Sequence, residues 1–391
     1  MGKKVGIGVI GCGSVAEIAH FPSIRDIAEA ELIAICDTNE ERARKAGEKW
    51  KVKAWYTDYR KMLERKDLDA VIVATPNSFH HKQVLAAAEA KVNVIVEKPM
   101  ACTNKEAWEM VDACKKAKVK LMVGCNYRFW LQHEIGKELI EQGLLGKIML
   151  GEACLHEGWN LYPETVAATK FRSAPEEAGA GAIFDLGSHK VDLLRWFMGS
   201  EVKRVVGIAK RSVTPEDYTT LDDVFCILLE FENGACGRVS GDRYSSVVTH
   251  RTELFGTEGT MYLTSECSNP FQSAPLAIYT DKDYNWDDLP GVIRDYRYPI
   301  FFWAEDVIKK PVYKRWVSIY PPRKWSYTRM INHFIQCIFE DKEPLIKGED
   351  GAKAMDILCA VFKSMKTGGW VDLPLKEEVI PPHYQPRRGG D

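Results

Sequence analysis

A lysine that follows an apolar segment is the side chain best placed for chemistry in this sequence. Lys98 lies between Glu97 and Pro99, directly after the apolar run 94–96. Open α/β sheets bind their ligands at the carboxyl ends of buried parallel strands. Pro99 stops the strand and fixes the backbone beside the lysine. The position therefore predicts Lys98 in an active site.

A second group of reactive side chains follows a glycine-rich stretch. If the segment is helical, Asp185, His189 and Asp192 share one face. An imidazole can take the hydroxyl proton of an alcohol as a hydride leaves, and a carboxylate can orient it. The structural alternative is a helix cap and a histidine packed against 193–196, and the trio alone does not decide between the two. A metal site is disfavoured, because two carboxylates and one imidazole on one helix face are an incomplete ligand set.

A glycine-rich turn precedes both groups. The apolar run 5–10 ends in Gly11-Cys12-Gly13-Ser14-Val15-Ala16, the G-x-G-x-x-A form of the dinucleotide fingerprint. Gly11 permits the tight turn, and Gly13 removes a Cβ that would keep a pyrophosphate away. Ala16 lets the next helix pack closely, so that its N-terminus meets the phosphates.

An acidic residue sits where the ribose of such a dinucleotide is bound. Asp37 ends the second apolar run, 32–36, about 20 residues after the turn, where a carboxylate bonds the ribose hydroxyls. A carboxylate repels a 2′-phosphate, and Thr38 stands where NADP-binding chains often have a basic residue. NAD is therefore predicted rather than NADP. The structural alternative is that Asp37 only caps a helix at 40–49.

Strands and helices alternate around these residues in the first third of the chain. Alternation of this kind predicts parallel strands joined by right-handed crossovers. Residues 1–126 are therefore predicted to form an NAD-binding Rossmann domain of the α/β class. Its further elements are a strand at 70–74, a helix at 81–90, a strand at 92–96, a helix at 104–117 and a strand at 121–125.

The rhythm changes after about residue 130. Strand-like segments joined by short loops predict a mostly antiparallel sheet. Residues 127–391 are therefore predicted to form an α+β domain. The predicted strands are 149–156, 202–213, 224–232, 235–241 and 252–255, with helices at 132–142, 329–339 and 351–367. The span 270–322, rich in Trp, Tyr, Asp and Pro, shows no period and is predicted only to be a long insertion.

Composition excludes several classes of protein. The 391 residues are 46% hydrophobic and carry a formal net charge of −2, so no basic field favours nucleic acid or an anionic membrane. No apolar run approaches the roughly 20 residues that cross a bilayer. The eleven cysteines are scattered without a CxxC pair, and no signal segment is visible. These features favour reduced cysteines and a cytoplasmic location.

Five motifs in the same order make the chain resemble a known family over nearly its whole length. The family is that of the glucose–fructose oxidoreductase/inositol dehydrogenase/rhizopine catabolism (Gfo/Idh/MocA) oxidoreductases. The motifs are 11–16, Ala74-Thr75-Pro76-Asn77-Ser78-Phe79-His80, Glu97-Lys98-Pro99, Val123-Gly124-Cys125-Asn126-Tyr127-Arg128-Phe129 and Asp185-Leu186-Gly187-Ser188-His189-Lys190-Val191-Asp192. Ala180 replaces the middle one of three glycines that are usual in the family.

The resemblance implies a Rossmann domain and a second domain with a large open sheet, whose exposed face forms a dimer or tetramer contact. It implies that His189 is the base toward the substrate hydroxyl and that Asp185 orients it and contacts the sugar. Lys98 would bond the same oxygen and the nicotinamide ribose, and its bond to Pro99 is expected to be cis. Arg128 and Arg172 become candidates for substrate contacts.

The sequence thus predicts an NAD-dependent oxidoreductase that reversibly oxidises a secondary hydroxyl of a sugar, glycoside or cyclic polyol. A redox-neutral reaction with retained NAD is the second hypothesis. A non-catalytic NAD-binding regulator is the third, disfavoured because lysine, aspartate and histidine are all present. The predicted cofactor contacts are Gly11, Gly13, Ser14, Val15, Asp37, Thr75, Asn77, His80, Glu97, Lys98 and Asn126. The substrate, the hydroxyl oxidised and the direction are left open.

Overall fold

Two sheets organise the described part of the molecule, which in this computed structural model comprises residues 4–158, 170–265, 274–282, 291, 314 and 316–385. The first sheet has six strands and the second has nine. The predicted combination of a Rossmann sheet and a larger, mostly antiparallel sheet is confirmed. The proposed boundary between residues 126 and 127 remains a prediction.

The first sheet is fully parallel, in the order β3-β2-β1-β4-β5-β6. This is the order of a doubly wound dinucleotide-binding sheet. All six residues of β1 are buried, as expected for a strand with helices on both faces. The strands are β1 Val5–Ile10, β2 Ala30–Cys36, β3 Ala54–Tyr56, β4 Ala70–Val73, β5 Asn93–Val96 and β6 Leu121–Val123.

Some of the helices begin where a side chain accepts from a free backbone amide. The fifth helix, for example, starts with a reciprocal capping box between Thr103 and Glu106. The helices are α1 Phe21–Arg25, α2 Glu40–Trp50, α3 Tyr59–Leu63, α4 Asn77–Glu89, α5 Asn104–Ala117, α6 Leu131–Glu141, α7 Pro175–Ala178, α8 Ser188–Met198, α9 Ser326–Phe339 and α10 Gly348–Thr367. Short π or 3-10 turns span Ala16–His20, Asn126–Phe129, Lys170–Ser173 and Ile183–Gly187.

The second sheet has the order β14-β13-β12-β11-β7-β10-β9-β8-β15. Its strands pair antiparallel except β7 and β10, which run parallel. The strands are β7 Ile148–His156, β8 Val202–Lys210, β9 Val224–Phe231, β10 Cys236–Asp242, β11 Thr249–Gly256, β12 Gly259–Thr264, β13 Leu276–Thr280, β14 Trp316–Ile319 and β15 Val371–Asp372.

One face of this second sheet is covered and the other is not. Helices α8 and α10 pack on the covered face. The opposite face carries apolar side chains in contact with solvent, among them Ile208 (46% exposed), Leu228 (46%) and Trp316 (49%). This surface is called the open face below. Apolar exposure of this extent on a sheet is typical of an interaction surface.

The insertion predicted at 270–322 is in part regular structure. Its described residues include β13 and β14, which extend the sheet by two strands next to β12. Residues 270–273, 283–290, 292–313 and 315 lie outside the described part. In the described residues, no helix is both long and apolar enough to cross a membrane.

Candidate functional site

The glycine-rich turn after β1 has the geometry that a dinucleotide requires. Gly11 has a φ of 99°, and a Cβ there would lie 2.6 Å from the carbonyl oxygen of Ala74. Only glycine adopts this conformation without strain. A Cβ built on Gly13, in contrast, meets nothing within 4 Å, which leaves open space for a phosphate. Ser14 and Val15 continue this turn into Ala16–His20. The chain therefore fits a bound NAD here.

Asp37 is fixed toward the same turn. Its carboxylate accepts hydrogen bonds from the backbone N–H of Cys12 at 3.0 Å and of Asn39 at 2.9 Å. The cap of α2 is Asn39, whose side chain accepts from the backbone N–H of Arg42 at 2.9 Å. The interpretation of Asp37 as a mere helix cap is therefore wrong. Arg42 also pairs with Asp37 at 3.2 Å, a cation that the sequence reasoning overlooked.

Three amide and hydroxyl side chains predicted to contact the cofactor are held by other protein groups. The Oγ1 of Thr75 donates to Gln83 at 2.7 Å. The amide nitrogens of Asn77 and Asn126 donate to the carbonyl oxygen of Ala178 and to the hydroxyl of Ser326. Each amide keeps its oxygen for another donor. Their contact with NAD remains a prediction.

His80 and Glu97 lie behind the strand ends. His80 is 1% exposed, and its two ring nitrogens contact the carbonyl oxygens of Thr75 and Pro99. Glu97 is also buried, and it contacts the ring of His20 at 2.8 Å. These contacts give both side chains a supporting role around Lys98, while a direct contact with NAD is still a prediction.

Lys98 and Asp185 form the centre of the site. The Nζ of Lys98 donates to the Oδ1 of Asp185 at 2.7 Å and to its carbonyl oxygen at 3.0 Å. The peptide bond between Lys98 and Pro99 is cis, as expected. Lys98 comes from the end of β5, whereas Asp185 lies in the π turn before α8. The structure thus joins the two residues that the sequence singled out separately.

The turn that carries Asp185 is held by hydrogen bonds to another carboxylate, that of Asp222. Asp222 accepts from the backbone N–H of Gly181 at 2.7 Å and of Ile183 at 2.8 Å. A Cβ on Gly181 would overlap the carbonyl oxygen of Asp222, so glycine is needed there. The alanine at position 180 is buried, and the turn accommodates it.

Two arginines reach the other oxygen of Asp185. The Nη2 of Arg243 donates to Oδ2 at 2.9 Å, and the Nε of Arg172 lies 3.3 Å from the same atom. Burial acts to raise the pKa of Asp185, but Arg172, Lys98 and Arg243 outweigh it and hold the pKa well below its usual range. The carboxylate is therefore charged at neutral pH. Arg243 follows β10 without any recognisable motif, and the sequence analysis missed it.

His189 is buried on the first turn of α8. Its ring stacks on that of Tyr127 with 4.1 Å between centroids, and its Nδ1 has no hydrogen-bond partner in the described structure. Burial, and then the charge of Lys98, hold the pKa of His189 well below its usual range against the opposing effect of Asp185. The imidazole is therefore neutral at pH 7 and able to accept a proton.

The lysine that follows His189 is a second group that sequence reasoning missed. Lys190 is 1% exposed, and its Nζ donates to the carbonyl oxygen of Arg251 at 3.5 Å. Burial lowers its pKa to about 8. Lysine beside a predicted catalytic histidine gives no pattern by which its burial could have been anticipated.

Asp192 and Arg128 do not take part in this cluster. Arg128 donates from Nε and Nη2 to the two oxygens of Asp192, at 2.9 and 2.6 Å, and both residues are less than 5% exposed. The Nη1 of Arg128 donates to the carbonyl oxygen of Leu345. The predicted substrate contact of Arg128 is corrected: its guanidinium is occupied by this buried ion pair. Arg172, the other candidate, does line the site.

The described residues contain no group of three or more His, Cys, Asp or Glu side chains arranged to hold a metal ion. A small cavity lies in front of Asp185. It is lined by Asn77, Lys98, Phe171, Arg172, Ala178, Ala180, Asp185 and Arg243. Residues 159–169, which precede Phe171 and Arg172 in the chain, lie outside the described part.

Comparison with protein families finds two matches. Residues 5–125 match a family described as an oxidoreductase family with an NAD-binding Rossmann fold. Residues 135–262 match the GFO/IDH/MocA C-terminal domain.

Individual relatives match over most of the chain. Myo-inositol 2-dehydrogenase of Thermotoga maritima is 29% identical over 381 residues, which cover 96% of this chain and 99% of that protein. Oxidoreductase P35 of Formosa agariphila is 30% identical over 60% of this chain and 71% of its own. Among solved structures, levoglucosan dehydrogenase in complex with NADH has a TM-score of 0.78 and 25% identity, over 95% of this chain and 100% of that one.

Proposed function

The chain belongs to the Gfo/Idh/MocA oxidoreductase family, and on that premise we propose that it oxidises a secondary hydroxyl of a sugar, glycoside or cyclic polyol. That it is an NAD-dependent oxidoreductase follows from the family and from relatives named as dehydrogenases. The proposal adds the substrate class, the reversibility and the residues. The named activities of the relatives on myo-inositol and levoglucosan support this class.

NAD, when bound, accepts the hydride that leaves the substrate carbon. The turn at Gly11 and Gly13 would hold its phosphates, and Asp37 its ribose. Lys98, at the end of β5, would contact the nicotinamide end of the cofactor and the substrate.

The side chains divide the proton chemistry between them. His189 takes the hydroxyl proton, since it is neutral and buried. Lys98 has three N–H groups and makes two hydrogen bonds to Asp185 in the described structure, so one N–H could donate to the substrate oxygen and would stabilise its developing charge. Asp185 holds Lys98 in place and favours the protonated form of His189 after transfer. In the reverse direction, His189 returns the proton.

One observation carries the proposal, namely that Lys98 at the end of β5 pairs with Asp185, which lies one helical turn before the buried His189. A base with a depressed pKa is available as a proton acceptor at neutral pH. The Nδ1 of His189 has no hydrogen-bond partner in the described structure, whereas both ring nitrogens of His80 contact carbonyl oxygens.

The experiment is NADH formation by the purified protein with added NAD, across inositols, aldoses, anhydrosugars and glycosides. The variant His189→Asn is expected to lower turnover about 100- to 10,000-fold and to leave NAD binding intact. Near-normal turnover of this variant contradicts the role of His189. Product formed without added NAD and without net NADH would instead assign the retained-cofactor reaction.

A homo-oligomer is part of the proposal. The apolar side chains of the open face, such as Ile208 on β8 and Leu228 on β9, support association of two or four copies. Light scattering coupled to size-exclusion chromatography gives the number of copies, and a monomer at all concentrations contradicts this part.

The ten described cysteines form no disulfide, which supports the cytoplasmic location predicted from the sequence.

A further inference from the structure

Among the described residues that line the cavity in front of Asp185, positive side chains outnumber negative ones. Lys98 and Arg243 bind opposite oxygens of the carboxylate, at 2.7 and 2.9 Å. Arg172 adds a third cation at 3.3 Å, and it has further contacts of its own. Even with Arg172 left aside, two cations share one carboxylate among the residues that line this cavity.

Neighbouring acids do not restore the balance inside the cavity. Glu97 faces His20 behind the strand ends. Asp222 is bonded to backbone amides under the turn, and burial, its largest influence, raises its pKa. Asp242 binds His156 and the Ser245 hydroxyl. None of these three carboxylates lines the cavity.

The side chain of Arg243 is buried in the wall of the cavity and is held there by protein contacts. It is 8% exposed, its Nη1 donates to the carbonyl oxygen of Arg172 at 3.3 Å, and its Nε is buried without a hydrogen-bond partner in the described structure. A buried guanidinium is costly unless negative charge compensates it. One carboxylate shared among several cations compensates it only in part.

We propose that this cavity selects a sugar or polyol that carries a carboxylate, such as a uronic or aldonic acid, near the hydroxyl that is oxidised. The inference rests on the proposed function and names its substrate class. Guanidinium groups suit carboxylates because of their planar, charged donor geometry. The substrate carboxylate adds negative charge at Arg243, while the hydroxyl stays with Lys98 and His189.

The test compares matched pairs of substrates with added NAD: glucose with glucuronate, galactose with galacturonate. The acid is expected to have the higher kcat/KM by at least about tenfold, the value of one charged hydrogen bond. In Arg243→Gln this ratio is expected to fall by about the same factor, whereas Arg243→Lys keeps a larger part of it. In the natural protein, raised salt is expected to lower this ratio of kcat/KM values. Salt screens the attraction between the cations and the approaching substrate carboxylate.

A matched control removes an arginine elsewhere. Arg44 pairs with Glu48 on the surface of α2, with both side chains about half exposed. Arg44→Gln is expected to leave the ratio unchanged. If the protein forms NADH and its kcat/KM for neutral sugars equals that for the acids, the inference is overturned. The proposed function is unaffected by that result.

Binding separates the two claims. Thermal unfolding in the presence of NADH is followed with glucuronate, glucose and inorganic phosphate as probes. Glucuronate-specific stabilisation that Arg243→Gln abolishes supports the inference even if no NADH is formed, which would count against the proposed function alone. Equal stabilisation by phosphate overturns the assignment of a carboxylate, and no stabilisation by any anion overturns the site.

Discussion

Two carboxylates two turns apart, Asp185 and Asp192, have opposite surroundings. Asp192 is 1% exposed and is matched by one bidentate guanidinium, that of Arg128. Asp185 is shared by Lys98, Arg172 and Arg243 at the wall of a cavity. The Nε, Nη1 and Nη2 atoms of Arg128 all donate within the protein, to Asp192 and to the carbonyl oxygen of Leu345.

The difference teaches how to tell a structural ion pair from a reactive one. Burial does not discriminate, since both carboxylates are almost inaccessible. The number of cations around each carboxylate, and whether the carboxylate lines a cavity, do discriminate between the two. A closed pair with one guanidinium per carboxylate stabilises the fold, and an unequal cluster on a cavity wall can change partners during a reaction.

The largest expected effect is that of Asp185→Asn on activity. The variant leaves Lys98 without its anionic anchor and removes the charge that favours protonated His189. We expect kcat/KM to fall about 100- to 1000-fold, as for loss of a preorganised polar group. Steady-state kinetics with a substrate identified in the panel measure it. A loss below tenfold would erase the distinction between the two carboxylates.

The second expected effect is that of Asp192→Asn on stability. It leaves the guanidinium of Arg128 buried with only Asp350, 3.5 Å away, as an anionic partner. We expect the free energy of unfolding to fall by about 3 kcal/mol, at the lower end for a broken buried pair because Asp350 remains. Urea unfolding of both variants at equal ionic strength gives the comparison. An Asp185→Asn variant that loses as much would show that both clusters are structural.

A pH profile sharpens the contrast. Because the pKa of His189 lies below its usual range, the base stays unprotonated, and activity persists, below the ordinary histidine value of about 6.5. In the Asp185→Asn variant the acid limb of kcat/KM should move to still lower pH, since Asp185 acts to raise this pKa. Asp192→Asn should not move it. An acid limb at or above pH 6.5 in the natural protein contradicts the assignment.

The smallest effect belongs to a solvent-exposed pair. Arg44→Gln breaks the contact with Glu48 on the surface of α2. We expect a change of no more than about 0.5 kcal/mol in the free energy of unfolding, because such pairs are screened by water and salt. The same urea titration measures this change. A loss as large as that of Asp192→Asn would show that burial of the ion pair does not determine its contribution to stability.

Much of the architecture could be predicted from the sequence, because period and turn chemistry act locally. The helix Asn104–Ala117 was predicted with its observed ends, where a capping box marks its start. Strands β3, β12, β13, β14 and β15 were missed. β13 and β14 lie in a span rich in aromatic residues, and they are held as strands by neighbours far along the chain, which a local pattern cannot show.

The site was predicted in its chemistry but not in its full membership. Lys98, Asp185 and His189 were found because each stands in a motif. Arg243 was missed because nothing around it in sequence signals its contact with Asp185, 58 residues away. The assignment of Arg128 failed for the same reason, since its pairing with Asp192 becomes visible only when α8 is in place.

The way the chain returns to its first sheet has a consequence for synthesis. Strand β6 is the edge of that sheet, and it is covered late: Lys347 bridges to Met122, and Gly348 and Gly351 fit against Leu121 and Val123 so tightly that a Cβ on either would collide. While the ribosome is still making the second sheet, this edge has no cover and can pair with another nascent chain. A fragment ending at residue 126 is expected to scatter light as it aggregates, whereas the full chain stays clear. Helix α10, which is synthesised late, thus covers the exposed edge of a sheet that is synthesised early.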